Sequence, residues 1–239
     1  QSLVGAWPIS AERILAYMEK ASCEAKQHTD WNHRNPQYDQ ALKEFVTNAM
    51  DDPEFIRDLE SFVASFADAA HINVLAQTLI KLTAPGVPDI YQGNEINDLS
   101  LVDPDNRRPV DFDMRKRLLA EAMKMHADES WKRRDEGMAK LWLIQKILAY
   151  RARHETVFAG NYAPLLAGGK NAEYIVAFVR DGKAITIVPR FMRTRPDAMP
   201  ALLLPRGMWR NVFTEEIFLG EISTAKLFRT FPVALLVQE

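Results

Sequence analysis

The sequence predicts an α+β protein: a mostly helical part from residue 1 to about 153, then an antiparallel β-sandwich domain from 154 to 239. Three observations support this. Apolar residues recur at helical spacing behind capping residues and prolines throughout the first part. Near His154 the pattern changes to short apolar runs around turn dipeptides, with Asp181–Gly182 as the strongest hairpin signal. In the first part only Val87–Tyr91, inside "TAPGVPDIYQGNE", reads as an extended segment, and polar side chains follow it at once.

Taken in order, Ser10 is placed to cap a helix with Ile14, Met18, Ala21 and Ala25 on one face. Asn35–Pro36 and Asp52–Pro53 each set a capping side chain before a proline at the first helical position. The helices they start carry Tyr38, Leu42, Phe45 and Ala49, then Ile56, Leu59, Phe62 (or Val63) and Phe66. A further helix from Asp68 to about Leu82 presents Ile72, Leu75 and Leu79 before Pro85 and Gly86 end it. Beyond the loop "DPDNRRP", Met114, Leu118, Ala122 and Met125 mark one helix, and Met138, Leu141, Ile144 and Leu148 a longer one from roughly Glu136 to Arg153. "EYIVAFV" and "KAITIVP" flank Asp181–Gly182 and are apolar on both faces, as strands packed on both sides of a sheet are. "ALLLP", "WRNVF", "EIFLG" and "PVALLVQ" supply further short strands.

An extended segment at 87–91, followed by a polar loop and helices, is how one βα unit of a parallel barrel reads. A barrel needs eight such units in about 250 residues, and one is legible before His154. Residues 1–153 are therefore too little for a whole barrel and fit the last part of one: a helical remnant of the end of a (β/α)8 barrel.

Composition bounds the function. The net charge of −2 offers no basic field for nucleic acid or anionic lipid. No apolar run approaches the roughly eighteen residues of a membrane span. The single cysteine, Cys23, has no intramolecular partner, which fits a reducing compartment and a cytoplasmic location. No signal peptide is visible, and the chain opens with Gln1, as processing or a longer parent would each explain.

"LTAPGVPDIYQGNEINDLSLVDPDNRRPVDF" closely resembles the last barrel strand and following loop of the maltooligosyl trehalose synthases, in the α-amylase superfamily of glycoside hydrolases. "LVGAWP", "KQHTDW", "NVLAQTLIKL", "KLWLIQKILAYR", "FAGNYAPL" and "FPVALL" resemble other pieces of the same enzymes in the same order, so the likeness spans essentially the whole chain. The resemblance implies a C-terminal fragment of an intracellular isomerase, a glucosylmutase. Such an enzyme converts the reducing-end α-1,4 linkage of a maltooligosaccharide to α,α-1,1 by intramolecular transglucosylation; the sequence implies no cofactor, and its histidines show no convincing metal-ligand spacing. The resemblance also implies that the nucleophile, the acid and a stabilising carboxylate lie on strands upstream of Gln1, so that the chain holds no catalytic residue. Among local substitutes, the R-x-D triplet Arg195–Pro196–Asp197 lies beside prolines with no strand before it, and no His-Asp dipeptide occurs.

What remains by resemblance is part of a sugar cleft. The superfamily pattern Asp-Pro-x-x-Arg falls on Asp103 and Arg107, beside the subsite of the sugar that is attacked. Tyr91 and Gln92 form a second tier of cleft lining, and Glu95 and Asp98 a third. Asn94 and Asn97 stand where the typical stretch has Thr and Trp, which removes a possible stacking platform. Without the resemblance, "DPDNRRP" reads as a solvated turn with internal charge pairing, and Tyr91 as a rim residue bonded to a backbone carbonyl. His28 and His33 near Asp30 read as a solvated loop, Cys23 as inert packing, "KRRDE" at 132–136 as a solvated link, and Trp31 and Trp209 as core or interface packing. Two further functions stay open: part of another α-amylase-type hydrolase or transferase, and a non-catalytic carbohydrate-binding or interaction module. A barrel remnant would leave apolar surface and an open strand edge, so self-association, or reorganisation of the N-terminal half while the β-sandwich keeps its fold, is expected.

Overall fold

The computed structural model describes residues 1–194 and 196–238. The chain divides into two compact units: Gln1–Ala67 with Asp98–Val110, and Asp68–Asn97 with Asp111–Glu239.

The first unit holds α1 (Ser2–Ala6), α2 (Ala11–Ala25), α3 (Pro36–Asp51) and α4 (Pro53–Ala64), with a single 3-10 turn at Asp105–Arg107. The expected caps form. Ser10 accepts from the Arg13 amide, Asn35 from Tyr38, and Asp52 from Glu54 and Phe55, each satisfying N–H groups that a helix start leaves unpaired. Ala6, Ile9, Ile14 and Val46 make a small core, with Met18, Leu42 and Leu101 against it. The inward stripe of α3 is turned by one residue from the expected one: Val46 is buried and Phe45 is 70 % exposed. On α4 Leu59 is buried and Phe62 exposed, so much of its apolar face is uncovered. Cys23 is fully buried and takes a contact from Arg34 Nη1 at 3.2 Å.

The second unit holds α5 (Ala67–Thr83), α6 (Phe112–Ala122), α7 (Ala127–Lys132), α8 (Met138–Arg153) and α9 (Glu155–Ala159). Then come β1 (Tyr162–Pro164), β2 (Ile175–Arg180), β3 (Ala184–Pro189), β4 (Ala201–Leu203), β5 (Trp209–Asn211), β6 (Ile217–Phe218), β7 (Glu221–Ser223), α10 (Thr224–Leu227) and β8 (Ala234–Gln238). Strands do not begin at His154; a short helix follows it, burying Val157 and Phe158. Six strands form one antiparallel sheet in the order β1-β2-β3-β8-β5-β6, and β4 pairs with β7 in a separate ladder.

The central strands show why both their faces are apolar. Successive side chains of a strand point to opposite faces. In β3, Ala184 and Val188 join a core with α5 and α8, while Ile185 and Ile187 join one with β4 and β7; in β8, Leu235 and Val237 take the first side, Ala234 and Leu236 the second. The sheet thus lies between helices and the small second ladder. The β2–β3 turn places Asp181 and Gly182 at φ 48° and 66°, and the Lys183 amide closes it onto the Arg180 carbonyl at 2.9 Å. Trp209 is fully buried, its indole donating to the Pro205 carbonyl.

Arg180 ties this sheet to the helix layer. Its side chain is 2 % exposed, and the guanidinium donates to the carbonyls of Thr83 (2.7 Å), Gly160 (3.2 Å), Asn161 (3.3 Å) and Phe158. Thr186 Oγ1 donates to Thr83 Oγ1 at 2.8 Å, and Thr83 to the Leu79 carbonyl. The end of α5, where the 84–97 segment leaves, is thereby fixed to β2 and β3.

Residues 87–91 form no strand. An extended segment becomes a strand only with a ladder partner, and no described residue supplies one. Val87 is 98 % exposed and Tyr91 56 %. No single helix among the described residues is long and apolar enough to cross a membrane.

Candidate functional site

The candidate residues fall in both units: Asp98, Asp103 and Arg107 in the first, Tyr91, Gln92 and Glu95 in the second.

In the first unit the loop is organised around Asp105, which sequence reasoning passed over. Arg13 on α2 grips both its carboxylate oxygens at 2.8 Å, and the Leu101 amide donates to Oδ2 at 2.7 Å. Arg13 also reaches the Leu99 carbonyl at 3.0 Å. The two side chains are 20 % and 10 % exposed. The Arg13 hydrogen bonds, against the cost of burial, hold the Asp105 carboxyl at about 2, from an ordinary 3.8. Around this pin, Arg108 donates to the Ser100 hydroxyl and the Asp105 carbonyl, and Asp98 accepts from the Ser100 amide and hydroxyl. Asp98 therefore shapes a turn.

With the loop so held, Asp103 and Arg107 form an ion pair one helical turn apart, and Lys20 Nζ donates to the Asp103 carbonyl. Arg107 remains 74 % exposed and Asp103 46 %. A planar donor fork beside a carboxylate acceptor, both open to solvent, can bind two adjacent hydroxyls.

In the second unit Glu95 is a structural tie. It accepts from the Gly93 amide and from Arg115 Nε, each at 3.0 Å, while Arg115 Nη2 donates to the Gly93 carbonyl at 2.8 Å. The Asn94 amide closes a turn onto the Tyr91 carbonyl, and Lys140 on α8 donates to the Ile96 carbonyl. Gly137, at φ 78° ahead of α8, lets that backbone press on the loop: a Cβ there would lie 2.7 Å from the Ile96 Cβ. Tyr91 and Gln92 stay exposed on the loop so fixed.

Arg13, Arg115, Lys140 and Asp105 were missed because their partners are distant; Arg13 and Asp105 are 92 residues apart. Of Arg195–Pro196–Asp197, Arg195 lies outside the described residues. His33 Nδ1 faces Asp30 at 3.3 Å, and His28 packs on Tyr38. Trp31 is exposed, with Arg34 over its ring, and is not core packing. No group of three or more His, Cys, Asp or Glu among the described residues could hold a metal ion. The cavity between α2 and α3, about 580 Å3, includes none of the candidates.

Replacing Asp105 by asparagine is expected to cost the first unit about 2 kcal/mol at neutral pH. The folded carboxyl titrates below the unfolded one, so the unfolded state binds the extra proton and stability rises with pH in that window. The contribution is complete above about 4 and lost as pH falls to about 2. Acid titration followed by amide exchange at Leu101 checks this: wild type should lose protection there, and Asp105→Asn should start low and stay flat.

No family model matches the chain. A curated Mycobacterium tuberculosis protein named as a maltooligosyl trehalose synthase is 34% identical over 250 residues, covering 100% of this chain and 31% of that protein. The solved maltooligosyltrehalose synthase from Arthrobacter ramosus matches with a TM-score of 0.88 at 35% identity, over 100% of this chain and 31% of that one. Both of these matches carry the name of maltooligosyl trehalose synthases. A further solved synthase gives a TM-score of 0.85 at 28% identity, over 100% of this chain and 32% of that chain. The chain spans about 31% of the length of the curated synthases it matches. These are the enzymes that the "PDIYQGNE" and "DPDNRRP" stretches resemble.

Proposed function

We propose that this chain is the C-terminal portion of an enzyme that turns the reducing-end α-1,4 linkage of a maltooligosaccharide into an α,α-1,1 linkage, and that it supplies cleft but no catalytic carboxylate. The observation that carries this reading is the likeness to synthases over the whole chain, at 34% and 35% identity, combined with its 31% share of their length. In the longer protein, residues 1–153 would close a (β/α)8 barrel, with 87–91 as its last strand once a neighbouring strand offers a ladder. Residues 154–239 would form the terminal β-sandwich domain.

In a retaining mechanism a carboxylate attacks the anomeric carbon while a carboxylic acid protonates the leaving oxygen. Here the leaving glucose must stay bound, turn, and attack through its own anomeric hydroxyl. Water has to lose that competition, so the cleft must hold the acceptor sugar tightly. Asp103 and Arg107 would bind hydroxyls remote from the reacting bond, with Tyr91 and Gln92 lining the cleft. Glu95 and Asp98 would serve by shaping the loops. The single buried cysteine suits a cytoplasmic enzyme. The exposed Phe45 and Phe62 and the unladdered 87–91 segment suit self-association of the isolated chain.

The test is product analysis of the longer protein on maltopentaose. Loss of reducing ends without loss of chain length is expected. New reducing ends would mark a hydrolase and overturn the proposal.

A further inference from the structure

Asn97 closes the loop that carries Tyr91, Gln92 and Glu95, and its amide nitrogen meets two groups of the second unit. Nδ2 lies 3.3 Å from the Arg134 carbonyl oxygen and 3.4 Å from His71 Nδ1. A backbone carbonyl only accepts, so Arg134 fixes the amide with its nitrogen toward that contact. The second hydrogen of the same nitrogen is then available to His71, whose Nδ1 must accept it. The imidazole proton therefore sits on Nε2, which lies 2.9 Å from Asp135 Oδ1 and donates to it. The fixed acceptor at one end sets every polarity along the row.

The elements involved are tied to one another by further contacts. His71 is on α5, and Arg134 and Asp135 lie in the 3-10 turn ahead of α8. The Arg134 guanidinium is tied to Asp68 on α5 at 2.7 Å and stacks on Trp131. The space about the contact, lined by His71, Leu75, Asn97, Trp131 and Lys140, has no room for a water beside it. A loop fixed at Gly93 by Arg115 and at Ile96 by Lys140 is thus held next at Asn97, by the Arg134 carbonyl and His71 together.

We propose that His71 is a positioning residue for the candidate sugar loop: as the Nε2–H tautomer it holds Asn97 through Nδ1, and with it the conformation of residues 91–97. This rests on reading the loop as part of a glucan cleft.

Two substitutions separate the ring nitrogens. His71→Asn keeps an acceptor where Nδ1 stood and loses the reach to Asp135. His71→Gln keeps a donor where Nε2 stood and loses the group facing Asn97. In this chain, backbone amide exchange over 91–97 is expected to rise about five- to tenfold in His71→Gln and in Asn97→Ala, and to stay within about twofold of wild type in His71→Asn. Exchange in β3 and α8 should be unchanged in all three. Equal exchange over 91–97 in His71→Gln and wild type overturns the proposal. So does an equal rise in His71→Asn, or a rise spread evenly over the second unit, which a merely structural role would give. In the longer protein, His71→Gln should raise KM for maltopentaose about fivefold with kcat within about twofold. A loop that loosens in exchange while KM stays fixed would leave the His71–Asn97 hold intact and sink the sugar-cleft reading of the loop.

Discussion

Replacing Arg180 by methionine is expected to destabilise the second unit by about 3–5 kcal/mol and to lower its melting temperature by about 10 °C. Arginine at 2 % exposure, with backbone carbonyls as its hydrogen-bond partners, is an unusual core residue. Burial pushes its guanidinium below the ordinary arginine range, and nearby Arg151 adds to this against a smaller opposing pull from Asp181. The charge is tolerated because its carbonyl partners include Thr83 at the C-terminal end of α5, where a helix carries negative partial charge. Without the guanidinium these buried oxygens lose their donors, and each unpaired group costs about 1–3 kcal/mol. Methionine retains the apolar stem, so the loss reports the hydrogen bonds rather than a void. Lysine, with one ammonium in place of a planar fork, should recover only part of the stability. Denaturant unfolding followed through the buried Trp142 and Trp209 gives the number. A loss under about 1 kcal/mol would mean that water or a shifted backbone satisfies the carbonyls instead.

Much of this fold was legible because it is local. A cap such as Ser10, Asn35 or Asp52 acts on amides two or three residues ahead, and strand alternation in β3 and β8 needs a window of only a few residues. Asp181–Gly182 announces its turn because both positions need positive φ. Long-range facts left no such mark. Nothing around Asp105 indicates that Arg13 will grip it, so a candidate binding loop contains an internal pin beside the exposed pair. Arg180 ends an apolar strand and looks like a residue emerging into solvent; its burial depends on carbonyls of α5 and α9. On α3 a turn of one residue exchanged Phe45 for Val46, since helical period alone tolerates either neighbouring stripe. The extended reading of 87–91 lacked one fact that no local pattern supplies, the presence of a partner strand.

The chemistry of the site follows the same division. A retaining glycosidase site needs a carboxylic acid kept protonated near neutrality beside a second carboxylate. Among the described residues the carboxyl groups with displaced titration, Asp30, Asp105, Asp128 and Glu136, are all held downward by hydrogen-bond donors. Glu95 is committed to Arg115 and Gly93, Asp98 to Ser100, and Asp103 to Arg107. Under the proposed function, the proton donor and the nucleophile come from sequence outside this chain.

The most direct measurement is therefore an assay of purified residues 1–239 on maltopentaose, beside the longer protein under identical conditions. Reducing ends should persist undiminished with residues 1–239 and disappear with the longer protein. Any turnover by residues 1–239 alone, whether rearrangement or cleavage, would contradict the assignment of the reacting carboxylates to sequence outside this chain.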